Sequence, residues 1–324
     1  NDYLKLVVED NDSFIKWITL WIADILVNPH TKGSQPVAVV LYADQGSGKT
    51  SLSKLMSSLL GKKMVHHTDN PDGNSDILSH DFNSCLKYKL FIEFEEINMK
   101  THSKLAGNIK ALITDDTHII KHKGQEPIEV NASERCLFTT NHPGSIVVEK
   151  GDRRYCALSM SHRRLGDLAY WNEFYERLGN DNFIKDVADY LCSFKDELCP
   201  PGRGSGYPFG TNKPLTEHYK SLKELSFPPE LEFLKDTFFN STDSEIVVNS
   251  TKLSQMYNTW REEHSIEGKV SAMKFSLIMK TRGEKYGITS KHTKAGNVFI
   301  IEIGKLQQQL AKDFDIEPEQ VAEE

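Results

Sequence analysis

A short glycine-containing segment of this sequence has the residue types and spacing that bind phosphate. Residues 43–50 read Ala-Asp-Gln-Gly-Ser-Gly-Lys-Thr. Backbone N–H groups around such glycines can close on phosphate oxygens, the lysine can contact the β- and γ-phosphates, and the threonine hydroxyl can hold Mg²⁺. The segment therefore predicts a site for ATP and Mg²⁺ formed by Ala43, Asp44, Gln45, Gly46, Ser47, Gly48, Lys49, Thr50 and Ser51.

Ala43 stands where such loops usually carry their first glycine. A small residue suits this position, because the closest approach to phosphate lies further along the loop. The alternative interpretation is a chance match in an ordinary strand, turn and helix. The flanking residues favour a phosphate loop, since 37–42 is an apolar run of strand length and 50–60 has helical spacing.

A second predicted strand, 89–94, ends in two carboxylates. One carboxylate at such a position binds Mg²⁺ through water, and the next polarises the attacking water. We predict that Glu95, together with Thr50, binds the metal ion. We predict that Glu96 polarises the attacking water. Glu93 lies inside the strand, and either faces outward at a sheet edge or shares the site. The competing interpretation is a solvated strand end.

A third predicted strand, 135–140, is followed by Asn141. An amide at a strand tip can sense the γ-phosphate by hydrogen bonding and orient water, although taken alone it is an ordinary turn residue. Between the second and third strands, 118–120 and 127–130 predict a hairpin. Its turn carries Lys121, His122 and Lys123.

This order of phosphate loop, acidic strand end, basic hairpin and asparagine-ended strand resembles the superfamily 3 helicases of small DNA viruses, phages and plasmids. It is most similar to the helicase-like part of phage primase-polymerases and of the poxvirus primase-helicase. The motifs that carry the resemblance cover residues 35–165. The resemblance implies an AAA+-like ATP hydrolase that forms a hexameric ring, with Lys121, His122 and Lys123 gripping single-stranded or forked DNA in the channel. A solvated charged turn is the alternative for the hairpin.

The resemblance also implies an arginine finger that reaches a neighbouring subunit's γ-phosphate. Arg153 and Arg154 lie in the corresponding region, and we favour Arg154. An ion pair between Arg153 and Asp152 within the chain is the alternative. The chain begins at Asn1 rather than Met, so we expect a missing upstream part, and the resemblance implies that this part is a primase or polymerase domain. The expected location is the cytoplasm, that of the host cell if the protein is phage-encoded.

The elements that must position these residues predict an α/β fold, a P-loop (AAA+-like) ATPase core with an N-terminal helical segment and a C-terminal winged-helix-like domain. Residues 12–27 have helical spacing, with Asp12 or Ser13 as the N-cap. We predict an N-terminal helical segment at 1–33 and the ATPase core at 34–198. A linker rich in proline and glycine follows at 199–228, then the winged-helix-like domain at 229–305 and an acidic tail at 306–324.

Composition narrows the class of protein. The chain has 324 residues, 38% of them hydrophobic and 26% charged, which is typical of globular proteins. A net charge of −7 argues against a protein that binds nucleic acid over its whole surface. Five cysteines without a C-x-x-C pair argue against a zinc site or a disulfide framework. No apolar run reaches the roughly 18–20 residues of a membrane span.

Within the predicted C-terminal domain, 245–305 is net positive. Its lysines crowd the last predicted helix and hairpin, so the domain either engages duplex DNA or serves as a protein adaptor. For the whole chain the leading hypothesis is a ring-shaped, ATP-driven DNA helicase. A DNA-bound scaffold or loader with weak hydrolysis is the second, and a metabolic kinase, which leaves the hairpin and Asn141 unexplained, is the third.

Overall fold

The protein is represented by a computed structural model. Its contacts divide the chain into two units, Asn1–Ser226 and Phe227–Glu324, which are described separately. The structure describes residues 2–9, 11–33, 35–68, 83–96, 103–121, 125–142, 144–146, 148, 151–200, 206–224, 226–264, 266, 268–294 and 296–314.

A parallel sheet of five strands forms the centre of the first unit, in the spatial order β2-β3-β6-β1-β7. The remaining two strands of this unit form a separate antiparallel hairpin, β4–β5. The strands are β1 Ala38–Tyr42, β2 Val65–Thr68, β3 Phe91–Phe94, β4 Thr117–Ile120, β5 Ile128–Asn131, β6 Arg135–Thr140 and β7 Tyr155–Ser159. The three core strands and the hairpin predicted from sequence are confirmed, whereas β2 and β7 were not predicted.

Helices cover both faces of this sheet, which is why its inner strands are apolar on both sides. They are α1 Asp2–Val7, α2 Asp12–Val27, α3 Ser51–Leu60, α4 Ser103–Thr114, α5 Leu168–Leu178, α6 Asp181–Cys192, α7 Lys195–Leu198 and α8 Glu217–Glu224. One core contains α1, α2, α3 and α5 with Val39 and Leu41 of β1. The other contains α4 and α8 with Ala38 and Val40.

Helix α2 has the bounds that its spacing predicts, but its N-cap is one residue earlier. The side chain of Asn11 accepts a hydrogen bond from the N–H of Ser13 at 3.1 Å, so the predicted caps Asp12 and Ser13 lie inside the first turn. Further along, the indole N–H of Trp21 donates to the carbonyl of Val37 at 2.8 Å. That bond fixes the helix against the chain that enters β1.

A buried ionic cluster fixes the base of the hairpin. The Lys32 ammonium lies 2.6 Å from the Glu134 carboxylate, which lies 2.7 Å from Nε2 of His118 in β4. Burial alone would raise the pKa of Glu134, but the hydrogen bond with His118 and the charge of Lys32 outweigh it and hold that pKa below its ordinary value. Asn83 adds two bonds to the hairpin, donating to the carbonyl of Ile119 and accepting from the N–H of Lys121.

The second unit has its own core, with Phe233, Tyr257, Phe275 and Phe299 buried together. Its elements are α9 Pro229–Phe238, β8 Glu245–Asn249, α10 Ser250–Glu263, α11 Ala272–Gly283, β9 Ile288–Thr293, β10 Gly296–Glu302 and α12 Ile303–Phe314. The strands form an antiparallel sheet in the order β8-β10-β9. The three predicted helices and the hairpin are confirmed, and β8 and α12 are additional.

Two segments differ from the predicted domain plan. Within the stretch predicted as a linker, Phe209, Tyr219 and Leu222 are buried in the cores of the first unit. Within the predicted tail, Leu306 and Leu310 are buried in the core of the second unit. The other predicted domain boundaries stay predictions. In the described part of the chain, no helix is both long and apolar enough to cross a membrane.

The histidine of α8 generates a prediction about pH and stability. The His218 ring stacks on Tyr42 at 4.9 Å between centroids, and burial lowers its pKa to about 4. The unfolded chain takes up this proton near pH 6.5, so folding loses stability as pH falls from about 6.5 toward 4. We expect the free energy of unfolding in urea to fall, between about pH 7 and pH 5, by about 1 kcal/mol more in the native chain than in His218→Gln, after allowance for solvent screening. Equal losses in the two proteins would contradict this.

Candidate nucleotide-binding site

Residues 43–50 connect the carboxyl end of β1 to the start of α3. Gly46 and Gly48 have φ angles of +82° and +91°, a region in which a side chain causes strain. The Ser47 hydroxyl donates to the carbonyl of Asp44 at 2.6 Å and closes the turn. The N–H of Ser51 donates to the carbonyl of Gly48 at 3.0 Å, which begins the helix.

Most backbone N–H groups of this loop lack an acceptor. The N–H of Ala43 donates to Thr140 and that of Ser47 to Asp44, but those of residues 44–46 and 48–50 donate to nothing in the described part of the protein. Unpaired N–H groups that converge at a helix N-terminus form an anion-binding concavity. The loop could therefore hold a phosphate group, and the ATP site predicted from the sequence stays a prediction.

An aromatic side chain fills the space beside the second glycine. A Cβ built on Gly48 would overlap the indole ring of Trp171 in α5, so only glycine fits there. The indole N–H donates to the carbonyl of Arg164 at 3.0 Å, which holds the ring in place. A Cβ on Gly46 would lie 3.7 Å from the side chain of Leu165. Residues after β7 thus pack directly against the loop.

The three residues at the end of the loop differ in their surroundings. Lys49 is half-buried and makes no ion pair with any residue that the structure describes. Thr50 precedes α3, and its hydroxyl does not cap the helix. Both side chains are therefore available to a ligand. Ser51 is buried, and its hydroxyl lies 2.8 Å from that of Tyr175, so it joins α3 to α5.

The predicted acidic and amide residues lie at the same edge of the sheet as the loop. Strand β6 pairs in parallel with β1 and with β3, so residues that follow these strands emerge at one edge. Asn141 is half-buried there, and its Oδ1 has no hydrogen-bond partner among the described residues. Glu95 is half-buried, and its N–H donates to Thr68 at 3.0 Å. Glu96 is exposed, with a φ of +52°.

A positive φ at Glu96 costs about 1–2 kcal/mol for a residue with a Cβ. Such outliers concentrate at functional sites, where the surroundings hold the backbone in place. The strained position is therefore consistent with the predicted role of Glu96 next to an attacking water.

Glu93 does not lie in an edge strand of the sheet, because β3 runs between β2 and β6. Its side chain is fully buried, and one carboxylate oxygen lies 2.7 Å from Nδ1 of His67 in β2. The other oxygen, Oε1, has no partner among the described residues. Of the two predicted alternatives for this residue, the outward-facing one is wrong, and sharing the site stays a prediction. The carboxylate contacts the ring of His67 in the neighbouring strand β2.

The candidate finger arginines lie at the amino ends of the strands, opposite the carboxyl ends where the loop lies. The N–H of Ala38, at the start of β1, donates to the carbonyl of Arg154 at 2.8 Å. The phosphate loop follows the other end of that strand, about 13 Å away at roughly 3.3 Å per residue. Neither arginine therefore reaches the loop of its own chain, and a role toward a neighbour stays a prediction. Arg154 lies 3.8 Å from Asp152, whereas Arg153 is exposed.

Of the predicted DNA-binding residues, Lys121 is exposed at the end of β4. His122 and Lys123 lie outside the described residues. The segment after β7 belongs to none of the motifs predicted from the sequence, yet Nδ1 of His162 in that segment lies 3.3 Å from the Asp44 carboxylate. Its only signal in the sequence was the cluster His162, Arg163 and Arg164, which follows a strand that was itself not predicted.

Comparisons with known proteins give partial matches. Residues 41–154 match the model of a family described as being of unknown function, DUF5906. Over 179 residues, 54% of this chain, the sequence is 26% identical to a DNA primase-polymerase of Nitratiruptor phage NrS-1. The match covers 23% of that protein, so this chain spans about a quarter of its length.

Solved structures show a similar fold. The apo structure of the NrS-1 C-terminal region (305–718) matches with a TM-score of 0.63 and 16% identity, over 94% of this chain and 74% of that one. The A form apo structure of the same region matches with a TM-score of 0.62 and 17% identity, over 93% of this chain and 74% of that one. The likeness confirms a mixed α/β fold with a central parallel sheet.

The packing of Trp171 generates a stability prediction. Gly48→Ala introduces backbone strain and an overlap with the indole ring, whereas Gly166→Ala introduces strain alone, because Gly166 has a φ of +74° and no atom within 4 Å of its Cβ position. Urea unfolding should show that Gly48→Ala loses about 1–3 kcal/mol more than Gly166→Ala. Equal losses would show that Trp171 does not restrict the loop.

Proposed function

We propose that this chain is a P-loop ATPase that moves along DNA, a helicase acting in phage or plasmid DNA replication. The observation that carries the proposal is the row of N–H groups in residues 44–46 and 48–50 that have no acceptor among the described residues. Beside it lie a half-buried Glu95, an exposed Glu96 and an Asn141 oxygen that likewise has no partner in the described part of the chain. Loop, acid and amide lie at one edge of a parallel sheet, which is the usual position for a ligand in such folds.

The comparisons support the replication context. The NrS-1 relative is described as a DNA primase-polymerase, and the similar structures are of its C-terminal region. Because this chain matches only part of that protein, an upstream primase or polymerase domain in the full-length protein is part of the proposal. Membership of the superfamily 3 helicases rests on the order of motifs, and the family description names no activity.

In this proposal the N–H groups of the loop and the Lys49 ammonium bind the triphosphate. Thr50 and Glu95 would hold Mg²⁺, which would neutralise phosphate charge. Glu96 accepts a proton from the attacking water, and Asn141 orients that water by hydrogen bonding. The strand ends of β3 and β6 hold these groups in place before nucleotide arrives.

A neighbouring subunit completes the site. The arginines at the amino end of β7 lie too far from the loop of their own chain, so they act only in a head-to-tail ring, for which we propose six subunits. Arg153 is exposed and makes no ion pair with the described residues, whereas Arg154 is half-buried near Asp152. These surroundings favour Arg153 over Arg154, the residue favoured from sequence.

The hairpin turn supplies the DNA contact. Lys121, His122 and Lys123 suit phosphate contacts that do not depend on base sequence. The hairpin base is fixed through Lys32, Glu134 and His118, which attaches the hairpin to the residue that precedes β6. For the second unit we propose a winged-helix-like domain, which the order of its helices and strands supports, and Lys274, Lys280 and Lys291 are exposed there. Duplex DNA and a protein partner both remain proposals for this unit.

The exposure of Glu96 favours a second candidate function. A catalytic carboxylate in open solvent does not by itself exclude bulk water, so the chain would bind ATP, assemble on DNA and hydrolyse poorly. Such a scaffold or loader module differs from a motor in turnover, not in nucleotide affinity.

Steady-state ATPase measurements with and without single-stranded DNA separate the two functions. A motor should show DNA-stimulated turnover that Glu96→Gln lowers at least about 100-fold, while nucleotide affinity is retained. Glu9→Gln is a matched control, because Glu9 is also exposed and has a similar φ of +49°. Turnover that Glu96→Gln leaves intact would refute the assignment of the water to Glu96. Absent turnover with ATP-dependent assembly would instead establish the loader.

A further inference from the structure

The segment that follows β7 leaves the sheet directly beside the phosphate loop. Strands β1 and β7 pair in parallel with Tyr42 opposite Ser159, and the N–H of Met160 donates to the carbonyl of Tyr42 at 2.9 Å. Residues 161–168 therefore emerge next to residues 43–50. This adjacency follows from the strand order, in which β7 is the neighbour of β1.

Two contacts join the segment to the loop. His162 lies 3.3 Å from the Asp44 carboxylate, and the side chain of Leu165 lies 3.7 Å from the position of a Cβ on Gly46. The segment thus borders the unpaired N–H groups of the loop on the side of its first turn.

The segment is held in shape by its own residues. The Arg164 guanidinium lies 2.7 Å from the Asp167 carboxylate and 4.7 Å above the Tyr170 ring. The hydrogen bond from the Tyr170 N–H lowers the pKa of Asp167 most, and the hydrogen bond from Arg164 lowers it further, so that this pKa lies below its ordinary value. The indole N–H of Trp171 also donates a hydrogen bond to the carbonyl of Arg164. Because of these contacts, the turn is formed before any ligand binds.

This fixed segment exposes apolar surface. Leu165 is 47% exposed and Leu168 is 75% exposed. A single exposed leucine needs no explanation, but here two lie three residues apart in a segment whose Leu165 borders the loop at Gly46, and the exposed Arg163 lies between His162 and these leucines in sequence. Apolar surface flanked by positive charge suits a ligand with a flat ring system at one end and phosphates at the other.

We propose that Leu165 and Leu168 form a shelf for the base of a purine nucleotide. The loop then takes the phosphates, and residues 161–168 take the nucleoside. This inference rests on the proposed phosphate site and adds the part of the nucleotide that the loop does not bind. The shelf contacts the ring face, so its contribution to affinity scales with the apolar area that it covers.

Calorimetric titrations of the whole chain test the shelf, with ATP and with inorganic tripolyphosphate, each in the presence of Mg²⁺. The double variant Leu165→Ala, Leu168→Ala should bind ATP about tenfold more weakly, which corresponds to about 1.4 kcal/mol, and tripolyphosphate within about twofold of the native chain. Leu215→Ala is the matched control, because this leucine of the first unit is 63% exposed elsewhere. It should change neither affinity. Thermal unfolding of each variant confirms that it is folded.

Lys49→Ala separates failure of the shelf from failure of the proposed function. If Lys49→Ala weakens both ligands but the double leucine variant binds ATP normally, the shelf is wrong and the phosphate site stands. If the leucine variant weakens both ligands equally, the leucines act on the loop and the shelf is wrong. If Lys49→Ala weakens neither ligand, the phosphate site fails and the shelf fails with it.

Discussion

Backbone N–H groups that have no acceptor among the described residues, at the end of a buried strand, are the constraint on which the rest of the first unit depends. Burying such groups unpaired is costly, so the loop must either face solvent or receive an anion. Two glycines with positive φ allow it to curl, and α3 begins where it ends. Because the neighbouring strands are parallel, Glu95, Glu96 and Asn141 lie at the same carboxyl end of the sheet as the loop.

Buried charges at the other edge of the sheet fix the basic hairpin. Lys32, Glu134 and His118 form one chain of contacts, and Arg135 pairs with Asp24 of α2 close by. Removing one partner of such a buried pair typically costs about 3–5 kcal/mol, because the other charge is left uncompensated. These contacts join the base of the hairpin to Glu134, the residue that precedes β6 of the parallel sheet.

The sequence predicted those parts of the fold that carry a strong local pattern. Residues 12–27 and 135–140 have apolar spacing clear enough to give their bounds, and the loop was recognisable from its glycines and lysine. Strand β2 was missed because Val-His-His-Thr is short and mostly polar, and α8 because it follows a stretch rich in proline and glycine. The position of Glu93 and the segment after β7 could not be predicted, since both depend on strand order, which no local pattern specifies.

Amide hydrogen exchange of the whole chain, with and without ATP and Mg²⁺, tests the central claim most directly. If the loop binds the triphosphate, the N–H groups of residues 44–46 and 48–50 gain acceptors, and their exchange should slow by at least about tenfold. Unchanged exchange at these amides under conditions where the nucleotide is bound would contradict the account, because the ligand would then lie elsewhere.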